Sequence, residues 1–306
     1  MEESTRNLAE VVEQYLLVCK VEGKSPNTVR AYRETLDMFL SIAQEEVFPD
    51  DVREITPVHI YTYLGRIMER GVSLETRHRR HREVRFLFSW LLRMGYIDSH
   101  PFAHIKNLRL SQKIIQPFSE GDITKLLNAS FLTPYLAARN RAIILLLLDT
   151  GIRLNELVSL NIEDLDREHQ RLRILQGKGN KQRVVRIGSQ ALAAVSHYVD
   201  EYRGHEPGRL FASDEGNPMS RNSVRVMLAR LGQRSGVPKV HPHRFRHTFA
   251  TWAIEHEARE IDVQYLLGHS TPCMVRRYSA TYNSEKAARA HERWSPVDMM
   301  AGSVPR

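Results

Sequence analysis

The chain has 306 residues, 42% of them hydrophobic and 26% charged, with only 13 prolines, which excludes wholesale disorder and a lone small module and fits two domains. Forty-four Lys and Arg against 36 Asp and Glu leave a net charge of +8, of which roughly +7 falls after residue 117, so a polyanionic partner is favoured and the second half carries most of the positive field. Two distant cysteines, Cys19 and Cys273, a polar start (MEESTRN) and a longest apolar run of seven residues, Ala142 to Leu148, argue against a disulfide framework, a thiolate zinc site, a signal peptide or a membrane span, and fit a cytoplasmic protein.

The first hundred residues read as helices separated by cap signals. Leu8 to Cys19 has apolar residues at helical spacing, and Ser25-Pro26 announces a second helix over Thr28 to Ala43. Thr56-Pro57 repeats the signature before a helix to about Glu69, and Ser73 caps a long one from Leu74 to Met94. Four such helices make a small bundle. In the last, the stripe Val84, Leu87, Phe88, Leu91 runs back into Arg77, Arg80 and His81. The helix start is therefore expected to leave the core, as a phosphate-facing end helped by Arg79, Arg82 and Arg85 or as a solvated charge run.

His100-Pro101 breaks the pattern, and Asn107 to Pro117 reads as a linker between a first domain over 1–106 and a second over 118–306. Ser119 with Asp122 opens the second domain, with helices through Leu126 and from Ala137 to Leu148. After Thr150-Gly151 a helix reaches about Leu160, and Arg171 to Leu175 and Arg183 to Ile187 form a hairpin around GKGNKQ. Ser189 is expected to cap a helix ending at Gly204 and Ser220 one ending near Arg234, with His243 to Glu257 and Ile261 to Leu267 completing the core. The fold class is mainly α with a small β-hairpin, in two domains.

Five segments carry chemistry. In TGIRLNEL, Arg153 and Glu156 are three apart and are expected to share a helix face; by itself such a pair reads first as a structural ion pair. In the hairpin, glycines flank Lys178, which suits phosphate binding, proton donation or an ordinary solubilising turn. No Walker spacing is present, so ATP use gains no support. In HPHRFRHTFATW, His243 and Arg246 share a face set apart from the stripe Phe245, Phe249, Trp252. His243 and His247 have metal-ligand spacing, but Arg244 stands where HExxH has its glutamate and no acidic ligand is near. LLGHS and MVRRYSATY offer His269, Tyr278 and Tyr282.

In this order and at these intervals the five segments resemble the tyrosine recombinases, the phage integrase and Xer group, over nearly all of the chain from Leu8 to about Arg293. The resemblance implies a core-binding helical bundle over 1–106, a linker over 107–117 and a catalytic domain over 118–306, with no extra arm-type module ahead of them. It assigns catalytic roles to Arg153, Lys178, His243, Arg246, His269 and Tyr278, with Glu156 in support; Tyr278 follows His269 by nine residues. Phe245 replaces the usual leucine, and Tyr282 is a second tyrosine candidate. Contacts to DNA are expected from Thr28, Arg30, Arg77, Arg79, Arg80, Arg82 and Lys181.

Those residue types suit a metal-free and cofactor-free phosphodiester exchange. Two guanidiniums match the non-bridging oxygens, histidines help take the tyrosine proton, and a lysine acid protonates the departing 5' oxygen. What the resemblance implies is a site-specific recombinase that cuts duplex DNA through a 3'-phosphotyrosyl link, passes through a Holliday junction, and works as a homo-tetramer on two duplexes, with a second recombinase as an alternative partner. A helix from Ser284 to Arg293 is expected to dock on a neighbouring protomer. Two other readings exist, a catalytically silent architectural protein of the same fold and a type IB topoisomerase. The full set of catalytic residue types argues against the first; the hairpin lysine, the bundle and the C-terminal helix argue against the second.

Overall fold

Side-chain caps set the helix starts of the first unit. Asn7 Oδ1 accepts from the Ala9 N–H at 2.9 Å and opens α1 (Leu8–Val21); Ser25 Oγ accepts from the Thr28 N–H at 3.2 Å and opens α2 (Pro26–Glu45). Thr56 precedes α3 (Pro57–Glu69), and Ser73 Oγ accepts from the Thr76 N–H at the start of α4 (Leu74–Arg93). The structure is a computed structural model that describes residues 7–106, 115–129, 131–175, 182–268 and 291. The chain divides into two compact units, Met1–Lys113 and Ile114–Arg306.

The four helices close around Phe39, whose ring meets Tyr63 edge-on at 5.0 Å and Phe88 edge-on at 6.0 Å, with Leu36, Ile60, Ile67, Val84 and Leu87 fully buried around them. Each of these large side chains contributes about 2 kcal/mol of apolar transfer, so packing holds the bundle far more than helix propensity does. The start of α4 leaves the core as expected as far as Arg80, none of Leu74 to Arg80 being buried, but not at His81. His81 is buried, edge-on to Phe102 at 5.3 Å, because the chain after His100 folds back over α4 and covers it.

In the second unit, Ser119 and Asp122 cap each other reciprocally at the start of α5 (Glu120–Leu127). The apolar run then becomes α6 (Pro134–Thr150), buried along most of its length and packed against α8 (Ser189–Tyr198) and α10 (Pro242–Glu255). A short helix, α7 (Leu154–Ser159), leads to a three-stranded antiparallel sheet, β1 (Leu165–Asp166), β2 (Arg171–Ile174) and β3 (Arg183–Arg186), in which Leu172 pairs with Val185 and Ile174 with Arg183. The first strand is absent from the sequence reading, since two residues acquire strand geometry only by pairing with β2. Gly188, not Ser189, stands at the N-cap of α8, its N–H donating to Asp149 Oδ2 at 2.7 Å; that helix ends in a π-turn, Val199–Arg203, before Gly204. α9 (Arg221–Ser235), capped by Ser220, and α11 (Glu260–Leu267) complete the described elements.

Candidate active site

Arg153 does not lie on a helix face. It is the residue before α7, in extended conformation, and its own N–H donates to Glu156 Oε2 at 2.7 Å. The side chain turns back as well, with Nη1 on Glu156 Oε1 at 2.9 Å. A second guanidinium meets the same carboxylate from β3: Arg183 Nη1 donates to Oε1 at 2.9 Å and Nη2 to Oε2 at 2.8 Å. Burial alone would raise the Glu156 carboxyl, but Arg183, then the Arg153 N–H, outweigh it and hold the pKa below the usual carboxylate range.

That depression has a sign that can be measured. A carboxyl whose folded pKa lies below its unfolded value of about 4.3 stabilises the fold fully above that value and loses its contribution as pH falls through the folded one. Glu156→Gln should cost about 3 kcal/mol at neutral pH and flatten the acid side of the stability profile. Urea melts of both proteins from about pH 6 down to pH 3 report it, and equal slopes would refute the assignment.

Three arginines converge on the last carbonyls of α11. Arg183 Nε donates to Leu266 O at 2.8 Å, Arg246 Nη2 to Leu267 O at 2.8 Å and Arg153 Nη2 to Gly268 O at 3.0 Å. A helix C-terminus carries unsatisfied carbonyls and partial negative charge, so guanidiniums are suitable partners. Gly268 takes the left-handed conformation, φ 63°, that ends the helix. Gly151, φ 58°, accepts from Arg246 Nη1 at 2.9 Å, and a Cβ there would come within 2.5 Å of Phe249. Only glycine lets the chain before Arg153 pass this close to α10.

α10 serves two sides. His241 is its N-cap, with Nδ1 accepting from the Arg244 N–H at 3.2 Å, and Pro242 fills the first position. On one side Arg246, buried, and His243, exposed, line a cleft of 620 Å³ together with Arg153, Arg225 and His241. Desolvation against the cleft wall, then the Arg246 charge, push the His243 pKa below its ordinary value, so its imidazole is neutral at neutral pH and free to accept a proton. On the other side Arg244 lies over the Phe118 ring at 3.9 Å and donates to Gln116 O at 3.0 Å and Pro238 O at 2.6 Å, while Thr248 Oγ1 accepts from the Phe118 N–H at 2.9 Å. α10 is thus tied to the segment that enters the second unit.

Of the residues singled out in the sequence, Arg153, His243 and Arg246 come together at this cleft, with Glu156 behind Arg153. Lys178, Lys181, His269, Tyr278 and Tyr282 lie outside the described residues, as does the helix expected from Ser284. In the first unit Thr28 Oγ1 is paired with Ser25 Oγ at 2.8 Å, Arg30 is exposed and Arg82 lies 5.9 Å over Phe86. Arg79 donates to Glu83 Oε2 at 3.1 Å, a carboxylate that Thr35 also reaches. Arg77 Nε and Arg80 Nε and Nη1 are buried and have no hydrogen-bond partner among the described residues.

Sequence reasoning passed over Arg183, Arg225 and His241. For Arg183 a signal existed. Alternation along β3 puts it on the face of Val185 and Ile187, both buried, and an arginine on a buried strand face requires a carboxylate or carbonyl partner.

The model of the phage integrase family matches residues 118–285, and that of the phage integrase N-terminal SAM-like domain matches residues 12–95. The chain belongs to the phage integrase family. Tyrosine recombinase XerC of Xanthomonas axonopodis pv. citri is 30% identical over 279 residues, covering 88% of this chain and 91% of that protein. Tyrosine recombinase XerD of Halalkalibacterium halodurans is 31% identical over 266 residues, covering 85% of this chain and 89% of that one. The Tn1549 transposon integrase, solved in complex with transposon right end DNA, has a TM-score of 0.78 at 19% identity over 94% of this chain and 99% of its own, a likeness of fold. The chain is a tyrosine site-specific recombinase, and the mainly helical two-unit fold with one small antiparallel sheet is that of the family.

Proposed function

We propose that this recombinase cuts and rejoins duplex DNA with Tyr278 as nucleophile, at a phosphodiester seated in the cleft of Arg153, His243 and Arg246. One observation carries the reading: the cleft is lined by three arginines and two histidines, and no carboxylate is among its lining residues. Such a cleft selects an anion, and the permanent positive charges of Arg153 and Arg246 at its wall suit the charge spread over the non-bridging oxygens of a pentacovalent phosphate. Neutral His243 and, by the family resemblance, His269 draw off the phenol proton, while Lys178 protonates the 5' oxygen. The 3'-phosphotyrosyl link conserves the ester energy, so rejoining needs no ATP.

In this reading two duplexes and four protomers meet, and strands are exchanged through a Holliday junction. The first unit grips the duplex through Arg30, Arg77, Arg79, Arg80 and Arg82, supported by the run of basic side chains along the start of α4, whose charge suits a phosphate backbone. Lys181 and Thr28 add contacts. The unit borders follow the linker at 107–117, and the protein works in the cytoplasm; among the described residues no helix is long and apolar enough to cross a membrane.

Covalent capture in the native host, followed by sequencing of the attached DNA, tests the proposal. One recurrent short sequence joined through its 3' phosphate to Tyr278 is expected, whereas scattered attachment would overturn it. Cleavage of that sequence should also proceed undiminished in excess EDTA, because guanidiniums fill the electrostatic role a metal would take. Among the described residues no group of three His, Cys, Asp or Glu side chains could hold an ion. Loss of cleavage in chelator, restored by one divalent cation, would refute the mechanism.

A further inference from the structure

Arg183 does not line the cleft, and its side chain is only 12% exposed. Its Nε, Nη1 and Nη2 are all committed, to Leu266 O, Glu156 Oε1 and Glu156 Oε2. A guanidinium so occupied has no fork to offer a phosphate. It nevertheless touches three elements that matter there: the carboxylate that holds Arg153, the end of α11 from which the chain continues to His269, and β3, the strand that follows the hairpin bearing Lys178.

We propose that Arg183 is a positioning residue for strand cleavage, holding Glu156 and the end of α11 in one place so that Arg153 presents its guanidinium to the phosphate with its positive charge only partly neutralised. The inference rests on the reading of Arg153 as a phosphate ligand. Charge counting supports it. A carboxylate facing Arg153 alone would form a neutral pair and compete with the phosphate for the same fork. Two guanidiniums on one carboxylate leave a net +1, and Glu156, 1% exposed, is kept ionised where an unpaired charge would be costly. Steric fit adds a second role. A Cβ on Gly268 would lie 3.1 Å from Arg183 Nη1, so the left-handed turn ahead of His269 is seated directly on this guanidinium. Arg183 therefore ties the orientation of Arg153 to the place where the LGH histidine begins.

The test uses the full chain and a nicked duplex carrying the sequence recovered by covalent capture, with single-turnover adduct formation and DNA affinity measured separately. Arg183→Met should slow adduct formation about 10²-fold, the scale of a misplaced catalytic group, with affinity within about threefold because Arg183 makes none of the phosphate contacts. Combining it with Glu156→Gln should slow the reaction no further than the slower single variant, since both act on Arg153 through one link. Multiplied defects would show two independent structural roles and overturn the proposal, as would undiminished cleavage by Arg183→Met. Should the methionine variant fail to fold, Arg183→Lys decides. An ammonium on a flexible stem does not reproduce the planar fork to both Glu156 oxygens together with the bond to Leu266 O, so a loss of about tenfold at unchanged affinity is expected, and full activity would overturn the proposal. Arg153→Ala is the control. If that variant cleaves normally, the phosphate-ligand reading has failed rather than the role of Arg183.

Discussion

Tyr278→Phe should bind the recombination site with unchanged affinity and form no covalent adduct at any time. The substitution removes one hydroxyl and leaves ring, shape and charge intact, and affinity for DNA comes from many phosphate contacts of which this is not one. The chemistry has no substitute. A phenol of pKa about 10 is a weak nucleophile at neutral pH, and it becomes usable only where cations favour the phenolate. In the proposed reading that environment is the cleft wall of Arg153, Arg225 and Arg246, with the imidazole of His243 to take the proton. Tyr282→Phe should still form the adduct, four residues further along the chain. Denaturing gels of protein-linked DNA from both variants compare the two tyrosines directly, and an adduct that persists in Tyr278→Phe would move the nucleophile to Tyr282.

Local chemistry made most of the helices legible. Ser25-Pro26, Thr56-Pro57, Ser73, Ser119 with Asp122, and Ser220 each satisfy helix N–H groups within three residues, so their starts follow from the sequence alone. What stayed hidden depends on distant partners. Arg153 stood out in the sequence, and its place ahead of α7 follows from a local capping box with Glu156, but the direction of its guanidinium depends on Gly268, 115 residues away. Arg183 pairs with Glu156 across 27 residues and with Leu266 across 83. No periodicity links such positions. His81 looked like the exposed end of a stripe because nothing near it in sequence shows that Phe102 returns to cover it. The motifs named the cleft residues; only the folded chain shows that three arginines share the end of one helix.

Lys178→Ala should lose roughly 10²- to 10⁴-fold in cleavage, the usual range for a missing general acid, with little change in DNA affinity. The leaving 5' alkoxide is far too basic to depart unaided, and the sequence offers the Lys178 ammonium, between Gly177 and Gly179, as a proton source. The arginines cannot take this role. Arg153 and Arg246 are engaged with Glu156, Gly151 and the α11 carbonyls, and a guanidinium does not give up its proton at neutral pH. Replacing the bridging 5' oxygen by sulfur separates proton donation from phosphate positioning. The thiolate leaves without a proton, so Lys178→Ala should then cleave nearly as fast as the unsubstituted protein on the same substrate. Arg153→Ala should gain nothing from sulfur, because its defect lies at the non-bridging oxygens. Equal defects of Lys178→Ala on oxygen and sulfur substrates would show that Lys178 positions phosphate, and would turn the search for the proton donor to Lys181.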